Sequence, residues 1–264
     1  MAAQKRRTGQ RRRRGRFGFL YKLLSLVIIL SALAAGCVVF FKVNEVTVTG
    51  NQRYTAQEII DASGVTGEDN LLLINGPRTV RAINRKLPYV ETILVIRRLP
   101  DTLELKITET TGVARIQCGG SWWLINEGTK LLEEGDGRLG EGLPRILGLK
   151  IIDPSPGSRL QVELADQAKA ESISLLFAAL EKEGLTEQVY DFIDYSETSR
   201  IRFSCGDALT VVVPVTGDFD RRILSLRRVL ETFAEQGQQV TGTLDLTYGD
   251  GEARLLTERW LPAS

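Results

Sequence analysis

The chain has 264 residues, of which 43% are hydrophobic and 25% charged, a globular composition with no sign of wholesale disorder. It contains no histidine, which excludes Ser-His-Asp and Cys-His catalytic arrangements and any His-ligated zinc. Its three cysteines (Cys37, Cys118 and Cys205) form no CxxC pair, which excludes an all-cysteine zinc site and a disulfide-dense scaffold but leaves open whether Cys118 and Cys205 pair.

The formal net charge of +1 hides a divided chain. Ten of the 34 basic residues lie within the first 42 positions, which hold no acid; the other 222 carry 24 basic and 33 acidic side chains, a net of −9. A run from Leu23 to Phe41, nineteen residues without charge, follows Arg11-Arg12-Arg13-Arg14. As a helix rising about 1.5 Å per residue it would span roughly 28 Å, the thickness of a bilayer core. Phe17, Phe19 and Tyr21 at one end and Phe40-Phe41 at the other stand where aromatic belts form. Basic residues are retained on the cytoplasmic side, so residues 1–22 are expected inside and 43–264 outside. Two rival readings involve cleavage: a signal peptide ending near Ala32-Leu33-Ala34, or a lipoprotein box at Leu33–Cys37 with Cys37 as lipid acceptor. The run continues past both sites to Phe41, which favours an uncleaved anchor. The arginines then fix orientation and touch lipid headgroups; they lack the interleaved aromatics of a nucleic-acid-binding segment.

Beyond the span, Val43–Thr49 alternates as a strand and stops at Gly50-Asn51. Thr55-Ala56-Gln57-Glu58 is a capping box opening a short helix that ends near Gly64. A second helix starts at Pro77 and carries Val80, Ile83 and Leu87 before Pro88. The strands 91–98 and 102–109 follow across Leu99-Pro100-Asp101. A small sheet with both helices on one face buries these apolar sets. This βααββ order resembles a POTRA domain. Leu87-Pro88-Tyr89-Val90 together with Val95-Ile96-Arg97-Arg98-Leu99-Pro100-Asp101-Thr102-Leu103 resembles the bacterial cell division family called FtsQ in some lineages and DivIB in others.

The second half carries the same resemblance. Ser121–Leu131 is similar to the family's hairpin, with Asn126 and Gly128 in the turn where φ > 0 comes easily. Leu143-Pro144 resembles the short segment after it. A helix with Ile173, Leu176, Phe177 and Leu180 on one stripe stops at Gly184. Strands are expected at 189–195, 199–204 and 208–213, then a helix opened by Asp218 with Phe219, Ile223, Leu226, Leu230 and Phe233. Two last strands, 242–248 and 252–257, flank Gly249-Asp250-Gly251, a hairpin signal.

The expected architecture is α+β: basic tail 1–22, transmembrane helix 23–41, POTRA-like domain 43–111, a second α+β domain 112–258 on an antiparallel or mixed sheet, and a short tail 259–264. Motifs that promise chemistry lack their context. Gly135-Asp136-Gly137-Arg138-Leu139-Gly140 matches G-x-G-x-x-G, but Gly142 and Pro144 prevent the helix a dinucleotide needs. The carboxylate pairs Glu133-Glu134, Asp191 with Asp194, and Asp218 with Asp220 have no accompanying nucleophile or base. Trp122 and Trp123 point to opposite faces of a strand, so at most one ring can stack on a sugar.

No catalysis, cofactor, metal, nucleic acid or small-molecule substrate is therefore expected. The resemblance implies docking of FtsL-type and FtsB/DivIC-type partners at the division septum. Its candidate surface is the terminal hairpin with Leu244, Leu246, Tyr248, Gly251, Ala253 and Leu255, where an edge strand can accept another strand. The alternatives are a POTRA-type translocation or chaperone component and a lipid-anchored cell-wall binding protein.

Overall fold

The computed structural model describes residues 17–248 and 252–263. Arg11–Arg14 and Gly249-Asp250-Gly251, which carried the tail and turn readings, lie outside the described residues. Helix α1 (Phe17–Phe40) is about 36 Å long by its rise. From Phe19 to Phe40 it is long and apolar enough to cross a bilayer, and none of it is buried against the remainder.

The first domain after α1 follows its pattern closely. Strand β1 (Glu45–Thr49), helices α2 (Ala56–Ser63) and α3 (Gly76–Lys86), and strands β2 (Val90–Arg98) and β3 (Thr102–Glu109) form it. The capping box is formed: Thr55 Oγ1 accepts from Glu58 N, and Thr55 N donates to the Glu58 carboxylate. Asn75 caps α3 one residue before the glycine and proline that open it. The sheet order is β1-β3-β2, with β1 parallel and β2 antiparallel to β3. Ile59, Ile83, Val90, Leu103 and Leu105 are completely buried between sheet and helices. The Glu109 carboxylate gathers the amides of Gln52, Arg53 and Tyr54 at 3.0, 2.6 and 3.1 Å, which fixes the loop between β1 and α2.

The second domain is one mixed sheet of nine strands. They are β4 (Ala114–Cys118), β5 (Ser121–Ile125), β6 (Leu131–Gly135), β7 (Arg145–Leu147), β8 (Phe192–Asp194), β9 (Arg200–Cys205), β10 (Leu209–Pro214), β11 (Gly242–Asp245) and β12 (Arg254–Leu256). Their order is β12-β11-β10-β9-β8-β7-β4-β5-β6. Helices α4 (Gln167–Lys182) and α5 (Phe219–Glu235) send Ile173, Leu176, Phe177, Phe219, Ile223 and Leu226 into one core with the sheet. Asp218 caps α5, its side chain accepting from Arg221 N.

Three sequence expectations are corrected. Strand β4 had no counterpart in the sequence reading; it pairs with β5 through Gly119-Gly120, whose φ values of 60° and 92° make a tight two-residue turn. In the next turn the residue at positive φ is Thr129, not Asn126 or Gly128. Asn126 is buried and serves through its side chain, accepting from Lys130 N at 2.8 Å and donating to Glu91 at 2.8 Å. The strand expected over 242–248 ends at Asp245, because the Asp245 carboxylate turns back to take the Thr247 amide at 2.8 Å.

The two domains share a joint built from alternate residues of β5 and β6. Trp123, Ile125 and Leu131 face the main core, whereas their neighbours Leu124 and Leu132 pack with Tyr89 of the first domain. Tyr89 donates its hydroxyl to Glu133 at 2.6 Å, and the Arg53 guanidinium lies 3.7 Å from the Tyr89 ring centre. Buried Lys130 donates to the Val90 carbonyl at 2.6 Å, and that burial holds its ammonium pKa below the ordinary lysine value.

Candidate partner-binding surface

Strand β12 ends the nine-stranded sheet, pairing antiparallel with β11 through Thr243–Leu256, Leu244–Leu255 and Asp245–Arg254. Its other edge meets no strand among the described residues. Side chains on both of its faces are open: Leu255 is 40% and Leu256 48% exposed. Gly242 makes this last pairing possible. Its φ is +104°, and a Cβ there would collide with the Leu256 carbonyl oxygen.

The six residues expected at this surface divide. Leu244 and Leu246 are buried in the core, so they hold β11 and the chain after it in place rather than facing outward. Tyr248, Ala253 and Leu255 are exposed at least in part, and Gly251 lies outside the described residues. Tyr248 is 40% exposed and held from two sides. Arg222 of α5 donates to the Leu246 carbonyl and, at 3.4 Å, to the Tyr248 carbonyl. The Arg254 guanidinium of β12 lies 4.9 Å from the Tyr248 ring centre. Beside the ring a small cleft is lined by Asp218, Arg221, Arg222, Ser225 and Glu252. An aromatic anchor thus stands next to an open strand edge, the combination that captures an extended segment by backbone hydrogen bonds and one side-chain contact.

The sequence reading overlooked what lies behind this edge. Positions 259–264 were expected to be a simple tail, yet Trp260 packs on Phe192 with ring centres 5.7 Å apart and receives the Arg202 guanidinium at 4.5 Å. Thr210 and Thr243, side by side in the parallel β10–β11 pairing, both bind this segment. Thr210 Oγ1 donates to the Trp260 carbonyl at 2.7 Å, while Thr243 Oγ1 donates to the Glu258 carbonyl at 2.7 Å and accepts from Trp260 N at 2.9 Å. The one available signal was a polar threonine recurring in otherwise apolar strands, which burial leaves in need of partners.

No cluster of three or more potential metal ligands occurs among the described residues. Five of the six carboxylates considered for acid–base work, all but Glu134, have structural employment. Glu133 accepts from Tyr89, Asp191 pairs with Arg145 at 2.9 Å, Asp194 accepts from Ser196, Asp218 caps α5, and Asp220 pairs with Lys182 at 2.5 Å. Glu127, which the sequence reading did not single out, has its pKa raised by burial and by the neighbouring Glu181 carboxylate. Gly135 closes β6 and the rest of the G-x-G-x-x-G string is turn, with no helix. Trp123 is buried, and Trp122 lies under the Arg115 guanidinium at 4.7 Å. All three cysteines are unpaired.

Comparison with known proteins agrees with this architecture. A family profile described as "POTRA domain, FtsQ-type" matches residues 41–110. The cell division protein FtsQ of Geotalea daltonii is 29% identical over 224 residues, covering 80% of this chain and 74% of the relative. The FtsQ of Anaeromyxobacter sp. (strain K) is 25% identical over 242 residues, covering 88% and 79%. The cell division protein DivIB of Geobacillus kaustophilus is 27% identical over 120 residues, covering 43% and 46%.

Proposed function

We propose that this chain, which belongs to the FtsQ/DivIB family of bacterial cell division proteins, is a non-enzymatic scaffold that holds FtsL-type and FtsB/DivIC-type partners at the septum. Helix α1 anchors it, the basic N-terminal residues stay in the cytoplasm and touch membrane lipid, and both folded domains stand outside.

The observation that carries this reading is the open β12 edge beside Tyr248. An incoming strand extends the sheet by one, satisfying amide and carbonyl groups that β12 otherwise leaves to water. The Tyr248 ring, Ala253 and Leu255 then offer the side-chain contacts.

The test is binding of a co-expressed FtsL–FtsB type pair to Tyr248→Ala. Half-exposed aromatic anchors contribute on the order of 1–2 kcal/mol, so affinity should fall about tenfold with the thermal midpoint unchanged. Wild-type affinity in that variant removes Tyr248 from the surface. A fluorescent fusion to the N-terminus should form a mid-cell band that depends on residues 43–264.

A further inference from the structure

The domain next to the membrane has no free linker to the span. After α1, residues 41–43 pair antiparallel with residues 69–71: Leu71 N donates to the Phe41 carbonyl at 2.7 Å, Lys42 bridges to Asn70, and Val43 N donates to the Asp69 carbonyl at 3.0 Å. The last carbonyls of a helix lack intrahelical partners. Here the Asn70 side-chain amide donates to those of Cys37 and Val38, at 3.0 and 3.4 Å. A loop of the folded domain therefore caps the membrane helix itself.

Residues 70 and 71 are held at the last turn of α1, by the Asn70 side chain and the Leu71 amide, and Leu72 and Leu73 follow them directly. Leu73 N and Ile74 N both donate to the Asn70 carbonyl, which turns the chain there. Arg97 locks it by donating to the Leu71 carbonyl at 3.0 Å and the Ile74 carbonyl at 2.6 Å. Leu71 and Ile74 are buried, whereas Leu72 is 46% and Leu73 77% exposed.

The β2–β3 turn lies at the same end. Asn44, at the start of β1, donates its amide to the Asp101 carbonyl at 3.0 Å and its side chain to the Asp101 carboxylate at 3.1 Å. Leu99 in that turn is 62% exposed. The charges at this end include Lys42 and Arg98, the latter paired with Glu104, and the acids Asp69 and Asp101 are occupied by Thr66 and Asn44.

We infer that Leu72, Leu73 and Leu99 enter the interfacial zone of the leaflet from which α1 emerges, seating the POTRA domain on the bilayer in one fixed orientation. The inference rests on α1 crossing a membrane. Its occupant is set by continuity: a loop hydrogen-bonded to the last turn of a spanning helix stands at the depth where that helix leaves the hydrocarbon. Leucines exposed there gain by burial among acyl chains, and Phe40 and Phe41 mark the same level. The domain thereby projects β12 from the membrane on a rigid mount.

The test places an environment-sensitive nitrobenzoxadiazole probe on the full chain in phosphatidylcholine–phosphatidylglycerol vesicles, with and without lipid spin-labelled near the headgroup end of the acyl chain. Cysteine is introduced singly as Leu73→Cys, Leu164→Cys or Ile29→Cys in a background with Cys37→Ala and Cys118→Ala. Cys205 remains, because it is buried and its thiol pKa is pushed up to about 11, so it does not compete for label at neutral pH. Leu164, 87% exposed in the second domain, reports the aqueous level, and Ile29 reports the span. The probe at 73 should be quenched several-fold more than the probe at 164 and shifted to the blue. A blue-shifted probe at 29, with 73 no different from 164, overturns the seating while leaving the span. A probe at 29 that emits as it would in water removes the span and the seating with it.

Discussion

At one edge of the nine-stranded sheet, β6 sends Leu132 into the joint with Tyr89 and Leu124, and its first backbone groups exchange hydrogen bonds with Gly157 and Ser158. At the opposite edge, β12 leaves Leu255 and Leu256 half in water and its outer backbone unmatched by any described strand. Both edges are short, and both end a sheet with a single continuous core. What separates them is the chain around them. The sealed edge adjoins the first domain and the 155–160 segment, and its inter-domain bonds are charged or buried: Tyr89 to Glu133, Lys130 to the Val90 carbonyl, Asn126 to Glu91. The open edge carries Tyr248, whose ring meets Arg254 and whose carbonyl meets Arg222, and no strand among the described residues lies across its far side. An edge can be protected by covering it or by keeping it short; an uncovered edge beside a positioned anchor is what the proposed docking requires.

Breaking the sealed edge should give the largest effect. Leu132 is 2% exposed at the joint, so Leu132→Ala removes buried methyl groups where two domains must repack together. The expected loss is about 2–4 kcal/mol of stability, read as a lower denaturant midpoint for the full chain. A loss within the error of the measurement would mean that the joint is no part of the folded unit.

A smaller effect comes from the polar half of that joint. The Tyr89 hydroxyl pKa is pushed up to about 12, first by burial and then by its hydrogen bond to the Glu133 carboxylate. A group that binds its proton more tightly folded than unfolded gives its full stabilisation below the unfolded value near 10. That contribution is lost as pH rises through about 12. Tyr89→Phe should cost roughly 1–2 kcal/mol at pH 7, since it deletes a hydrogen bond to a charged acceptor. Its stability should then fall less steeply than wild type between pH 10 and about 12. The comparison isolates Tyr89, because every other tyrosine is common to both proteins. Parallel curves over that window would show that the hydroxyl is not held by Glu133.

The contrast between the edges also explains what was legible in sequence. Local rules announced themselves: Thr55 with Glu58, Asp218 before α5, Leu103-Leu105-Ile107 alternating in β3. The β12 edge was legible for the same reason, since a hairpin flanking Asp-Gly is a short-range signal. The joint was not, because Leu124 and Leu132 differ from Trp123 and Leu131 only in which partner they meet, and period-two alternation does not name the partner. The burial of Leu244 and Leu246 follows from the same rule, once β11 is known to be an interior strand. The tail clamp stayed hidden because Thr210, Thr243 and Trp260 meet over separations of up to 50 residues.

The smallest effect is the most diagnostic. Leu255→Lys places a charge on β12 at a position paired with buried Leu244 but itself 40% exposed. If the open edge is free in the isolated protein, the lysine stem lies along the strand, its ammonium reaches water, and stability changes by no more than about 0.5 kcal/mol. Partner binding should weaken, because a charge on an edge strand is one of the ordinary devices that discourage strand addition. The pair of readouts should therefore move oppositely to those of Leu132→Ala, which is expected to cost stability and leave partner binding unchanged. A large stability loss for Leu255→Lys would show that β12 is already packed against the chain, and would erase the difference between the two edges.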